Sequence, residues 1–252
     1  MCNIPKAVIV LILLFFATAC VSEKPVDEVP GELPATGLFR MVKAEAESVV
    51  LINTMSDIEC MDHRIPGSLC LPCEEVGEKL GRLARDKEAP VVFYCESERC
   101  YRSCLAAAEA RKLGYQRVYT LKGGIVAWKE AGYGTESPDR IPRQDVYSIR
   151  PAEAGSWLAK RQNILILDIR PREVFSQGRI RGAVNIPMHE LHRRYGDIPQ
   201  NQRICVVDQN GSQSFLAASY LVRKGFGDVV RLLGGMDRWE QYQAGSKSGD
   251  KT

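Results

Sequence analysis

Histidine is scarce in this chain: His63, His189 and His192 are the only three in 252 residues. None completes a Ser-His-Asp arrangement, and no cysteine pair precedes a histidine in the pattern that attaches haem. A glycine-rich phosphate loop is missing as well. So is an excess of charge of one sign. The 34 basic and 31 acidic residues leave a net +3, too weak a field to single out nucleic acid as a partner. One long apolar run occurs, residues 7–17, and it falls short of the roughly 20 residues that span a bilayer. What remains is ordinary globular composition, 45% hydrophobic and 26% charged, long enough for two cores of about 100 residues each.

The apolar run follows a single lysine, Lys6, and ends at "ATAC", which suits the core of an export signal. Ala17, Thr18 and Ala19 before Cys20 resemble the bacterial lipoprotein cleavage box, although that box usually carries Leu where Ala17 stands. The resemblance implies a signal peptide over 1–19, a lipid on Cys20 and a membrane anchor. An ordinary cleaved signal and a short uncleaved anchor are the alternatives. All three place the protein in the cell envelope or periplasm. Residues 20–37, with prolines at 25, 30 and 34, read as a tether that buries too little to fold. Residues 244–252 read as a polar tail.

Between these ends the chain is duplicated. "LINTM" (51–55) matches "ILDIR" (166–170), and "RIPGSLCLP" (64–72) matches "RIRGAVNIP" (179–187), both at an offset of 115. Downstream, Ser103, Gly114 and Trp128 match Ser214, Gly225 and Trp239 at an offset of 111. Each copy alternates β-branched runs with helical periodicity, which predicts an α/β fold with a parallel sheet covered on both faces. In the first copy, strands are expected near 49–53, 68–71, 90–94 and 117–121, and helices near 74–86, 102–113 and 125–131. The second copy repeats this order with an added helix near 151–160. Gly114 and Gly225 stop helices, the Gly123-Gly124 and Gly234-Gly235 pairs turn the chain into the last helix, and the tryptophans belong to the core. The domains are expected at 38–133 and 145–243, joined by a turn-rich linker at 134–144.

Cysteine, unlike histidine, is plentiful: nine in all, six of them between 60 and 104 and only Cys205 in the second copy. In "VVFYCESERCYRS" a buried strand ends on Cys95 and a charged loop leads to a helix start. Ligands of open α/β sheets bind outside such strand ends. Loop N–H groups and the positive end of a helix would lower the thiol pKa there and stabilise an anionic sulfur. A buried structural cysteine is the bland alternative, but it would have no use for a polar, charged loop. At the same place in the second copy stands Asp208, followed by "QNGSQS". Cys205, three residues earlier on the strand, reads as core.

The strand "LILDIR", the segments "GRIRGAVNIP" and "HRIPGSLCLP", the "YC…S" loop and the "GG…W" turn together resemble a tandem rhodanese, a two-domain sulfurtransferase. The resemblance implies that Cys95 accepts sulfane sulfur as a persulfide from a small thiosulfate-, mercaptopyruvate- or polysulfide-type donor and passes it to a thiophilic acceptor. It implies no cofactor and no metal. Glu96, Ser97, Glu98, Arg99 and Cys100, with Arg102 and Ser103 at the helix start, would form the substrate-binding loop and cradle the persulfide mainly through backbone N–H groups. Asp208 cannot carry sulfane sulfur, so the second copy is expected to be silent. The chain departs from the family's pattern in two places. Glu96 and Glu98 stand where basic residues are frequent, and Asn53 and Met55 replace the Asp-x-Arg strand end kept as Asp168 and Arg170.

Two other readings compete. A phosphatase of related fold needs arginine six residues after the cysteine, but Tyr101 holds that position and Arg102 lies one further. A non-catalytic metal or thiol-redox module is the other. Cys60, His63, Cys70 and Cys73 have zinc-like spacing, and disulfides such as Cys70–Cys73 or Cys95–Cys100 are open in an oxidising compartment.

Overall fold

A computed structural model of the protein describes residues 31–248, apart from 46, 47, 99 and 161. The export signal, Cys20 and most of the tether lie outside the described residues. The first unit runs β1 (Gly31–Leu33), α1 (Ala35–Ala44), β2 (Val50–Asn53), α2 (Asp57–Asp62), β3 (Leu69–Cys70), α3 (Val76–Leu83), β4 (Val91–Tyr94), α4 (Arg102–Lys112), β5 (Val118–Leu121) and α5 (Gly124–Glu130). The second unit repeats the order as β6 (Tyr147–Ile149), α6 (Pro151–Ala159), β7 (Ile164–Asp168), α7 (Arg172–Gln177), β8 (Val184–Asn185), α8 (Met188–Arg194), β9 (Arg203–Val207), α9 (Ser214–Arg223), β10 (Val229–Leu232) and α10 (Gly235–Ser248). Each unit forms a five-stranded sheet, ordered β1-β5-β4-β2-β3 and β6-β10-β9-β7-β8, with every pairing parallel.

Helices cover both faces, so the central strands are apolar throughout. Along β4, Val91 and Phe93 join one core cluster while Val92 and Tyr94 join the other, as side-chain alternation requires. β9 divides in the same way: Ile204 and Val206 point to one side, Cys205 and Val207 to the other. Cys205 is therefore core, and burial pushes its thiol up to about 12.

Three boundaries differ from the sequence reading. The expected tether does not reach residue 37, because residues 31–33 pair with β5 as an edge strand and α1 begins at Ala35. Backbone pairing, rather than side-chain burial, holds this short segment. The expected tail is helical as far as Ser248. The helix expected as an addition to the second copy is α6, and α1 is its counterpart, so both copies carry it.

The short helix α2 was not foreseen, yet "SDIE" (56–59) spells a capping box. Ser56 Oγ accepts from the Glu59 N–H at 3.3 Å, and the Ser56 N–H donates to Glu59 Oε2 at 2.9 Å. This helix is the first unit's main contribution to the interface between the units. Its Ile58, together with Ile141 of the connection, is buried in the apolar cluster of the second unit. The Ile141 N–H donates to Asp62 Oδ1 at 3.0 Å, and the Asp139 N–H to the Met61 carbonyl at 3.1 Å. Residues 134–144 carry no helix or named strand, only an isolated bridge between Arg64 and Glu136.

Glycine is required at two equivalent positions. Gly124 and Gly235 have φ of 62° and 58°, and an added Cβ would lie 2.4 Å from the Cys95 carbonyl or 2.5 Å from that of Asp208. This close approach lets the Ile125 and Met236 N–H groups donate to those two carbonyls at 2.9 Å each. The last helix of each unit thereby fixes the backbone of the residue that ends the central strand.

Candidate active site

Cys95 follows β4 at the carboxyl edge of the first sheet, 1% exposed. Its sulfur lies 2.9 Å from the Cys100 carbonyl oxygen, 3.8 Å from that of Ser97 and 3.5 Å from Ser103 Oγ, and the Ser103 N–H points at it. The thiols of Cys95 and Cys100 influence each other's protonation across the loop. The expected ring of N–H donors is thus not what the described residues present. Carbonyl groups face the sulfur alongside the Ser103 donors, because the loop turns inward at Ser97 and Cys100. Arg99 lies outside the described residues.

The charge distribution differs from expectation as well. The hydrogen bond from Cys95 and then the Arg102 guanidinium, with Nε 3.3 Å from Cys100 Sγ, hold the Cys100 thiol well below the usual range. The same bond, together with burial, pushes Cys95 up. The low-pKa thiol of the resting loop is therefore Cys100, not Cys95.

Arg102 was expected to bind substrate, but its guanidinium is already engaged. It grips Glu59 with two hydrogen bonds, Nη1–Oε2 at 2.9 Å and Nη2–Oε1 at 3.0 Å. Burial pushes the Glu59 carboxyl up, but the charge and hydrogen bonds of Arg102, with those of Ser56, outweigh it and hold the group at about 2. Gln213, from the loop of the second unit, also donates to Glu59 Oε1 at 3.1 Å. Glu59 was missed by the sequence reading. Besides the capping box, its trace lies in the repeat, which aligns it with an apolar residue, Val174. Arg102 so held has no free fork for phosphate, which weighs further against the phosphatase reading.

The remaining loop residues fan outward. Glu96 accepts from His63 Nε2 at 2.9 Å, and this bond, against burial, raises the His63 pKa. Ser97 and Glu98 line a cavity of about 670 Å³ with Lys122 and Glu130, and Cys95 is not among its lining residues. Tyr101 is 71% exposed. Cys73 is half-buried near Glu74, and burial followed by that carboxylate pushes it up to about 12.

A disulfide is present, but it joins Cys60 to Cys70. Neither Cys70–Cys73 nor Cys95–Cys100 is bonded, since Cys73, Cys95 and Cys100 are free. Cys60 sits at 0% exposure on α2, facing β3. Oxidation takes two of the four ligands from the zinc-like set, so Cys60, His63, Cys70 and Cys73 do not fit a tetrahedral site.

The second unit shows the same cradle filled. Asp208 Oδ1 accepts from the Gly211 N–H at 2.8 Å, and Oδ2 from those of Gln213 and Ser214 at 2.7 and 3.1 Å. A fixed carboxylate occupies the loop where the first unit places sulfur. Behind it, Arg170 grips Asp168, with Nη2–Oδ2 at 2.7 Å, and reaches Gln209 Oε1 at 3.2 Å. In the first unit Met55 is buried at the arginine position, and Asn53 Nδ2 has no partner.

A model of the rhodanese-like domain matches residues 40–131 and again 151–242. The chain belongs to the rhodanese-like family. A sulfurtransferase of Allochromatium vinosum is 33% identical over 85 residues, which cover 34% of this chain and 79% of that protein. The thiosulfate sulfurtransferase GlpE of Pseudomonas putida is 32% identical over 101 residues, covering 40% of this chain and 92% of that one. Among solved structures, a thiosulfate sulfurtransferase from Pseudomonas aeruginosa overlaps 84% of this chain and 42% of its own, with a TM-score of 0.42 and 18% identity. Two rhodanese-like units in tandem, one with cysteine at the strand end and one with aspartate, define the molecule.

Proposed function

We propose that the chain is a sulfurtransferase that carries sulfane sulfur on Cys95, taking it from a thiosulfate-, mercaptopyruvate- or polysulfide-type donor and passing it to a thiophilic acceptor. The contrast between two equivalent loops carries this reading. Cys95 and Asp208 end equivalent strands, and the loop around Asp208 closes on an anion through three backbone N–H groups. A persulfide is an anion of the same kind, and only Cys95 supplies an atom that can be transferred. The sulfurtransferase relatives support the same reaction class. On loading, the Cys95 thiol gives its proton to solvent and Cys95 Sγ attacks the transferable sulfur of the donor. The donor remainder leaves with the electron pair of the broken bond. Glu96 and Glu98 would disfavour a dianionic donor, although His63 offsets the charge of Glu96.

The test is peptide mapping by mass spectrometry after incubation with thiosulfate, 3-mercaptopyruvate or polysulfide. One added sulfur on Cys95, absent in Cys95→Ser together with all turnover, is the expected result. Sulfur on Cys205, or turnover surviving in Cys95→Ser, overturns the assignment.

We further propose that the protein is exported and lipidated at Cys20. The apolar run and "ATAC" support this, and the Cys60–Cys70 disulfide suits an oxidising compartment. A mature chain that stays in the aqueous phase on detergent partition, with an unmodified N-terminal peptide, would remove the lipid.

A further inference from the structure

Sulfur transfer to an outside acceptor leaves one feature of the loop without a role: a second cysteine, Cys100, folded against the sulfur of the first. We infer that Cys100 resolves the Cys95 persulfide within the chain, releasing hydrosulfide and closing a Cys95–Cys100 disulfide. This gives the protein a second activity, reduction of sulfane sulfur to sulfide, and it rests on the proposed Cys95 persulfide.

The geometry supplies the parts. The loop folds Cys100 back onto Cys95, so that the Cys100 carbonyl stands 2.9 Å from the Cys95 sulfur. Arg102 Nε lies 3.3 Å from Cys100 Sγ. That guanidinium is fixed by its two-pronged grip on Glu59, so the cation remains beside Cys100 whatever the state of Cys95. A cation held against a thiol favours the nucleophilic thiolate.

The atoms balance without an outside oxidant. After loading, Cys95 bears a terminal sulfur as an anion, which takes a proton from solvent. The Cys100 thiolate then attacks Cys95 Sγ. The bond between Cys95 and the terminal sulfur breaks, its electron pair leaves with hydrosulfide, and the Cys95–Cys100 bond forms. Sulfane sulfur is reduced and the two cysteine thiols are oxidised. Attack at the terminal sulfur instead would have to expel the Cys95 thiolate. Burial and the facing carbonyl make that a poor leaving group, and thiol exchange favours the better one. An external dithiol resets the pair for the next cycle.

The experiment uses the full, reduced chain under anaerobic conditions, freed of reductant and given one equivalent of thiosulfate or, in parallel, 3-mercaptopyruvate. Neither donor liberates sulfide in handing over its sulfur, since thiosulfate leaves as sulfite and mercaptopyruvate as pyruvate. Peptides are mapped without reduction and sulfide is measured. The expected result is about one sulfide per loaded chain and a Cys95–Cys100 cross-link, absent when the donor is omitted. Cys100→Ser and Cys100→Ala are each expected to keep the extra sulfur on Cys95 and to release none. A wild-type chain that holds a stable persulfide on Cys95 with Cys100 open to alkylation overturns the inference, as does added sulfur found on Cys100. If the wild-type chain and the Cys100 variants alike gain no sulfur and release no sulfide with either donor, the persulfide reading itself falls and the resolving step falls with it.

Discussion

Gln213 of the aspartate-bearing unit and Arg102 of the cysteine-bearing unit donate to the same oxygen of Glu59, at 3.1 and 3.0 Å. One buried carboxylate thus ties the loop that holds Asp208 to the loop that holds Cys95. The second unit reaches the first unit's loop through this carboxylate and helps to fix the cation beside Cys100.

Glu59→Gln should be costly, since it leaves the Arg102 charge half-buried without its counter-ion. A loss of about 3 kcal/mol is expected for a broken buried pair, read from urea unfolding at neutral pH. The pH dependence has a definite sign. The folded Glu59 group sits at about 2, below its ordinary 4.5, so its contribution is complete above 4.5 and disappears as the pH falls through about 2. Wild-type protein should lose stability across that window, and Glu59→Gln should show a flatter profile there.

Asp208→Ala should leave sulfur loading of Cys95 intact while weakening the second unit. Three backbone N–H groups lose their acceptor in a buried site, which costs on the order of 2 kcal/mol. Unfolding followed by Trp239 fluorescence against loading at Cys95 separates the two effects. Loading that fails in a folded Asp208→Ala protein would give the second loop a role in the chemistry.

Alkylation should rank the thiols by charge rather than by exposure. Cys100 is depressed by its bond from Cys95 and by Arg102, so at neutral pH it should react with iodoacetamide before the exposed Cys104. Cys95, pushed up and 1% exposed, should be the slowest of the three, with Cys100 labelling declining only in acid. A Cys95-first order in the reduced protein would reverse the assignment of the low-pKa thiol.

The Cys60–Cys70 bond closes a span of 10 residues, for which chain entropy gives about 3 kcal/mol. A Cys60→Ala/Cys70→Ala double variant should unfold at correspondingly lower urea while still taking up sulfur. If loading is lost in the folded double variant, the bond shapes the site and does more than brace it.

The repeat, the strand alternation and the placement of Cys95 were legible in the sequence because each leaves a local mark: a constant offset, an apolar run, a residue type at a strand end. Gly124 and Gly235 were legible for the same reason. Glu59 was not, because its partners Arg102 and Gln213 are 43 and 154 positions away and nothing local signals them. The Cys60–Cys70 pairing was hidden in another way, since six cysteines within one unit offer many pairings and only the fold selects one. The edge strand at 31–33 escaped because a proline-bearing, polar segment gains its order from pairing with β5, not from its own side chains.

Ile58 is part of the cysteine-bearing unit in sequence and part of the aspartate-bearing unit's core in space. The two copies are therefore not interchangeable modules. A first unit cut free at the linker would expose an isoleucine worth roughly 2 kcal/mol of burial and strip Glu59 of one donor. The aspartate-bearing copy covers apolar surface of its twin and helps to hold its buried carboxylate. A substitution at Ile58 or Gln213 in one copy is therefore felt as lost packing or a lost hydrogen bond in the other.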